Sequence, residues 1–81
     1  MHLHDYIKVT PEADPKFIET WYLRSSRVYV TQIKNSNLDQ IGDAEYTCTK
    51  IDAVRQHARA VLSILEDVPK GSVPTAILSL K

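Results

Sequence analysis

The sequence predicts an α+β fold: an antiparallel β-meander of four to five strands with one amphipathic helix packed on one face, in the order β-β-β-β-α-β. Three observations predict it. Residues 17–24, 28–34 and 41–49 are runs rich in β-branched and aromatic side chains, separated by turn-forming residues. Residues 51–65 carry apolar side chains at helical spacing. Two shorter alternating runs, 3–9 and 75–80, flank these elements.

The first run alternates cleanly. Leu3, Asp5, Ile7 and Val9 share one face, and His2, His4, Tyr6 and Lys8 the other. Pro11 and Pro15 then break the chain, because proline cannot donate to a sheet ladder. Asp14-Pro15 also has the form of a helix start, which makes a helix over 15–24 the rival reading. A strand is preferred there because Phe17, Ile18, Trp21 and Tyr22 suit a pleated surface.

Ser25 and Ser26 lie between two such runs and read as a hairpin turn. That turn pairs Leu23 with Val28, Tyr22 with Tyr29, Trp21 with Val30, and Thr20 with Thr31. Of the two resulting faces, Trp21, Leu23, Val28 and Val30 are the more apolar and are expected in the core. Thr20, Tyr22, Arg24, Arg27, Tyr29 and Thr31 are expected to be exposed. Residues 35–40 read as a loop. In the third strand, Ala44, Tyr46 and Cys48 are expected on the core side, with Asp43, Glu45, Thr47 and Thr49 on the exposed side.

Thr49 is placed to cap the helix, with Asp52 three residues on. Ile51, Val54, Ala58, Val61, Leu62 and Leu65 form the expected buried stripe. Pro69 and Gly71 stop the helix, and Pro74 leads into the last strand, with Ala76, Leu78 and Leu80 on one face.

A chain of 81 residues predicts one small domain spanning 1–81. Enclosing a deep pocket would consume most of so small a core, which disfavours a small-molecule enzyme. The formal net charge is zero, against a strongly basic nucleic-acid binder. Cys48 is the only cysteine, so no intrachain disulfide forms. The first residues lack the pattern of a secretory signal, and no apolar run reaches the ~20 residues of a membrane span. A cytoplasmic protein is the expectation.

Few residues suggest chemistry. His2 and His4 point the same way on a strand but lack further ligands, so no metal is expected. Cys48 with His57 could make a nucleophile and base, but Cys48 falls on the expected core face, where it acts as a small apolar residue. Gly42 and Gly71 are isolated, so every glycine-rich phosphate loop is absent and no cofactor is implied.

The candidate site is therefore the expected exposed face: Tyr22, Arg24, Arg27, Tyr29 and Thr31. Tyrosine and arginine are enriched at binding hot spots. Lys50, Arg55 and Arg59 form a secondary basic stripe along the helix. The leading expectation is a non-enzymatic protein-interaction module, a small cytosolic regulator or inhibitor that occludes a larger protein partner. Anti-CRISPR and other phage or mobile-element proteins offer an analogy of size and type alone. A weak nucleic-acid-binding module using the same face ranks second. Homodimerisation through an edge strand at 3–9 or 75–80 is compatible with both.

Overall fold

The computed structural model describes residues 1–66 and 76–79. Its elements run β1 (His2–Lys8), β2 (Lys16–Leu23), β3 (Val28–Lys34), β4 (Glu45–Thr47), α1 (Lys50–Leu65) and β5 (Ala76–Ser79). The five strands form one antiparallel sheet in the order β4-β3-β2-β1-β5. This is the predicted α+β meander followed by a helix. Residues 16–23 are a strand, which settles the rival helix reading: Asp14-Pro15 ends a turn rather than opening a helix.

The β2–β3 register is the predicted one, with Thr20 opposite Thr31, Trp21 opposite Val30, and Tyr22 opposite Tyr29. The connecting residues 24–27 turn with Arg27 at φ 55° and the Ser26 amide bonded to the Leu23 carbonyl at 3.3 Å. A left-handed residue at the last loop position lets a four-residue connection follow the twist of the strands. β4 is shorter than the predicted 41–49. Gly42 sits at φ +70°, and before it the chain is held in a loop by Asn35, whose Oδ1 accepts from the amides of Asn37 and Asp39. Such side-chain bonding competes with a sheet ladder.

The two faces are the reverse of those expected. Register places Leu3, Asp5, Ile7, Ile18, Thr20, Tyr22, Tyr29, Thr31, Ile33, Glu45 and Thr47 on one face. That face lies under the helix. Ile7, Ile18, Ala60 and Ile64 form its core, with Val9, Ile33, Val61 and Leu65 packed around them. Trp21, Leu23 and Val28 therefore stand on the face that no helix among the described residues covers, and Thr20 and Thr31 are buried. The physical reason is that isoleucines at 7, 18 and 33 outweigh two threonines, whose hydroxyls have partners (below) and so bury at little cost.

The same reversal moves the third strand. Tyr46 is 63% exposed and Cys48 is exposed, although both were expected in the core, whereas Thr47 turns toward the helix. Val30 is buried as predicted, but on the uncovered side, where Trp21 and Tyr46 flank it in register on adjacent strands.

The helix is capped as predicted: Thr49 Oγ1 accepts from the Asp52 amide at 3.1 Å. Its buried residues are Ala53, His57, Ala60 and Ile64, not the predicted stripe. Ile51 and Leu62 are 66% and 56% exposed, and Val54 is exposed too. At roughly 100° per residue the buried stripe is rotated by about a third of a turn from the predicted one. Two alanines on the inner face let the helix approach the sheet closely. The larger residues at 61 and 65 then wedge at the margin. The predicted stops at Pro69 and Gly71, Pro74, and the side chains assigned to the last strand lie outside the described residues. No helix among the described residues is long and apolar enough to cross a membrane.

Candidate functional site

Three strands and the helix meet at a chain of buried hydrogen bonds. Asp5 on β1 contacts His57 Nε2 at 2.5 Å. His57 Nδ1 contacts Thr20 Oγ1 on β2 at 2.8 Å, and Thr20 Oγ1 contacts Thr31 Oγ1 on β3, also at 2.8 Å. Partner chemistry assigns the protons. With a neutral ring, Nε2–H donates to the Asp5 carboxylate. Nδ1 accepts from the Thr20 hydroxyl, which in turn accepts from Thr31. Every polar atom in the chain is then satisfied.

The order hydroxyl, imidazole, carboxylate is that of acyl-transfer hydrolases. Here, however, Thr20 is 0% exposed and no substrate reaches its oxygen. The relay clamps the helix onto the sheet. His57 has both ring nitrogens committed to it and is not free to activate Cys48, which stands exposed just before the helix.

The expected site residues separate into two groups. Tyr22 and Tyr29 come together at the end of the sheet where the helix begins, with ring centroids 5.0 Å apart. Arg24 and Arg27 are exposed in the loop beyond them and form no ion pair among the described residues. Thr31 does not join this group. It is 3% exposed beneath the helix and has its hydroxyl in the relay. The basic stripe is exposed, and Arg55 lies 4.0 Å from Asp52.

The face opposite α1 carries Trp21, Leu23, Val28, Val30 and Tyr46, which sequence reasoning assigned to the core, together with Tyr6 and Phe17, to which it gave no core role. Four of the chain's six aromatic residues stand on it: Tyr6, Phe17, Trp21 and Tyr46. Tyr6 packs edge-on against Phe17 with centroids 5.3 Å apart, and His4 and Phe17 lie 6.0 Å apart. His2 and His4 stack rather than converge on a common point, and His2 hydrogen-bonds Glu19. Among the described residues no cluster of three or more His, Cys, Asp or Glu could hold a metal ion.

Among the described residues of the strands, Glu19 is the one carboxylate on this face. Burial alone would raise its pKa, but hydrogen bonds from His2 and Lys34, with the charges of Lys34 and His4, outweigh that and hold it below its usual value. The alternation that sequence reasoning used was sound. The missing signal was that the outward set, not the inward one, carries the large aromatics. Leu38 was also missed: it is 64% exposed at φ 66°, in the tight loop held by Asn35.

Comparison with models of known protein families, with curated proteins and with solved structures finds no match to this chain.

Proposed function

We propose that this protein is a non-enzymatic protein-interaction module, a small cytosolic regulator or inhibitor that docks on a larger protein and occludes it. One observation carries the reading: the sheet face opposite α1, which no other element among the described residues covers, bears Tyr6, Phe17, Trp21 and Tyr46 where a solvated sheet would bear polar side chains. At its Leu23–Val28 end this face continues into the β2–β3 hairpin tip. There Tyr22 and Tyr29, on the helix side of the sheet, supply a paired aromatic anchor at the strand ends, and Arg24 and Arg27 supply charges with no ion-pair partner among the described residues. Such residues dominate binding energy where they are desolvated against a partner. Thr31 has no part in it.

A protein partner is favoured over nucleic acid because the uncovered face offers little charge for phosphates. Of its cations, Lys34 is paired with Glu19 at 3.3 Å, which leaves Lys8 as the remaining lysine of β1 to β4 there.

The test compares wild type with the double variant Tyr29→Ala, Arg27→Ala as bait in lysate of the native host, with and without nuclease. The expected result is one stoichiometric protein that survives nuclease and is lost with the variant, while the variant melts within a few degrees of wild type. Recovery that depends on nucleic acid, or equal capture by the variant, would overturn the reading.

A further inference from the structure

Helix α1 carries two apolar stripes, and the core uses only one. The inner stripe centres on Ala53, Ala60 and Ile64, with His57 among them. The outer stripe is Ile51, Val54, Ala58 and Leu62, spaced by three, four and four residues. Ile51 is 66% exposed, Leu62 56% and Val54 46%, and Ala58 is exposed too. At roughly 100° per residue the outer stripe is about 80° wide and about 16 Å long. A face so narrow has the shape of a helix–helix seam. A helix lying in a lipid surface turns a broader apolar face inward, often with aromatic residues, and α1 contains no Phe, Trp or Tyr.

The borders of the stripe are cationic. Round the helix, Arg55 and then Arg59 come next on one side, and Lys50 on the other. All three are exposed. Asp52 lies beyond Arg59 and reaches Arg55 only at 4.0 Å, and neither Arg59 nor Lys50 forms an ion pair among the described residues. Glu66 stands one turn past the end of the stripe. Charges flanking an apolar seam select the partner helix. They count against a second copy. In a parallel pair Lys50 of one copy would face Arg55 of the other, and in an antiparallel pair centred on Ala58 the Arg55 and Arg59 side chains of both copies would crowd one flank. Asp or Glu at the facing positions turns that repulsion into attraction. We infer that the outer face of α1 binds an acidic amphipathic helix of another protein, with Ile51, Val54 and Leu62 on its apolar seam and Lys50, Arg55 and Arg59 against its flanking carboxylates. The contact is short, which places it among weak, reversible interfaces. This surface lies across the sheet from the aromatic face and shares no residue with it or with the hairpin tip, so it stands whether or not that face docks a protein.

Two synthetic peptides test it by fluorescence anisotropy. Both are about three heptads long with leucine at a and d; one has glutamate at e and g, the other lysine. The acidic peptide is expected to bind wild type at least about tenfold more tightly than the basic one, and more weakly as salt rises. Ile51→Gln with Leu62→Gln should weaken that binding by at least about tenfold at an unchanged melting temperature, since both positions are exposed. Arg55→Glu with Arg59→Glu should reverse the preference, so that the basic peptide binds the more tightly. No binding at about 1 mM acidic peptide overturns the inference. So does equal binding of the two peptides, or equal binding by the glutamine variant. A wild-type dimer in sedimentation that the glutamine variant makes monomeric would assign the stripe to a second copy instead. Vesicles of phosphatidylserine and phosphatidylcholine in equal parts that bind wild type but not the glutamine variant would assign it to a membrane surface. Either result also overturns the inference.

Discussion

Replacing Thr20 by valine tests the relay, and its cost follows from the connectivity. Thr20 Oγ1 makes two of the three hydrogen bonds in the chain, to His57 and to Thr31. Valine keeps the shape and the β-branch but removes both bonds. It leaves His57 Nδ1 and the Thr31 hydroxyl facing a methyl group in a site closed to water. At ~1–3 kcal/mol for an orphaned buried polar group, and with Thr31 better able than the ring to rotate toward another acceptor, the loss is about 2–3 kcal/mol. Thr31→Val removes only the bond at the end of the chain, because Thr20 keeps His57 as its acceptor, so its loss is ~1 kcal/mol. The double variant removes donor and acceptor together and should cost less than the sum of the two, by roughly 0.5–1 kcal/mol. Urea unfolding with equal slopes for all four proteins reads these values directly. For a domain of this size the larger loss corresponds to a melting point lower by roughly 8–24 °C. If Thr31→Val costs as much as Thr20→Val, or if the two losses add, the relay is not one connected network and the reasoning is refuted.

Three further outcomes follow from the geometry. Ala53→Leu should destabilise by about 1–3 kcal/mol through overpacking against the sheet, whereas Leu62→Lys should change stability by less than ~0.5 kcal/mol; a reversed order in denaturant unfolding would restore the stripe read from the sequence. Thr49→Ala should cost about 0.5–2 kcal/mol by removing the bond to the Asp52 amide, with Thr49→Asp retaining most of it, as thermal melts of the two variants would show. Glu19 titrates below its usual 4.5 in the folded protein, so its contribution to stability is present above that value and is lost as pH falls through the lower, folded value. Glu19→Gln should therefore be less stable than wild type near neutrality, and the gap should close in strongly acidic buffer; a gap unchanged with pH in urea titrations would contradict the assignment.

The sequence carried the order of the elements, the hairpin register and the helix cap, because each is written in short-range chemistry: turn residues, alternation, and a threonine three residues before an aspartate. It did not carry which face the helix covers. Register fixes which side chains share a face, but either face is acceptable until the helix chooses. That choice depends on side chains far apart in sequence. In the sequence His57 figures only as a possible base for Cys48, and Thr20 and Thr31 read as solvated strand residues. Only when Asp5, Thr20, Thr31 and His57 meet does each become a reason for burying the others. The helix misreading has the same origin. Ala53 and Ala60 carry little hydrophobic weight, yet close approach to a sheet of isoleucines selects small residues over Ile51 and Leu62.

The candidate site fared unevenly for that reason. Tyr22, Tyr29, Arg24 and Arg27 sit at a hairpin tip, which is exposed whichever face is covered, so local reasoning was enough to place them. Thr31 lies deeper along the same strand, under the helix, and its accessibility could not be read without the third dimension. Trp21 and Tyr46 were hidden from sequence reasoning by their own hydrophobicity, which is the ordinary signal for a core.

The position of β1 has a bearing on how the chain assembles. β1 sits between β2 and β5, so it is completed on one side by a strand some seventy residues downstream. Its pairing with β2 closes a loop of about ten residues, whereas Asp5 and Ser79 are some seventy residues apart, a difference of about 2 kcal/mol in closure entropy. The meander and helix can therefore organise while one edge of β1 still lacks its neighbour, and an open strand edge is adhesive. During synthesis on a ribosome that edge stays uncovered until β5 emerges. Any second chain that arrives first competes for the same row of amides, so the interval before β5 docks is when this protein is most exposed to pairing with the wrong strand.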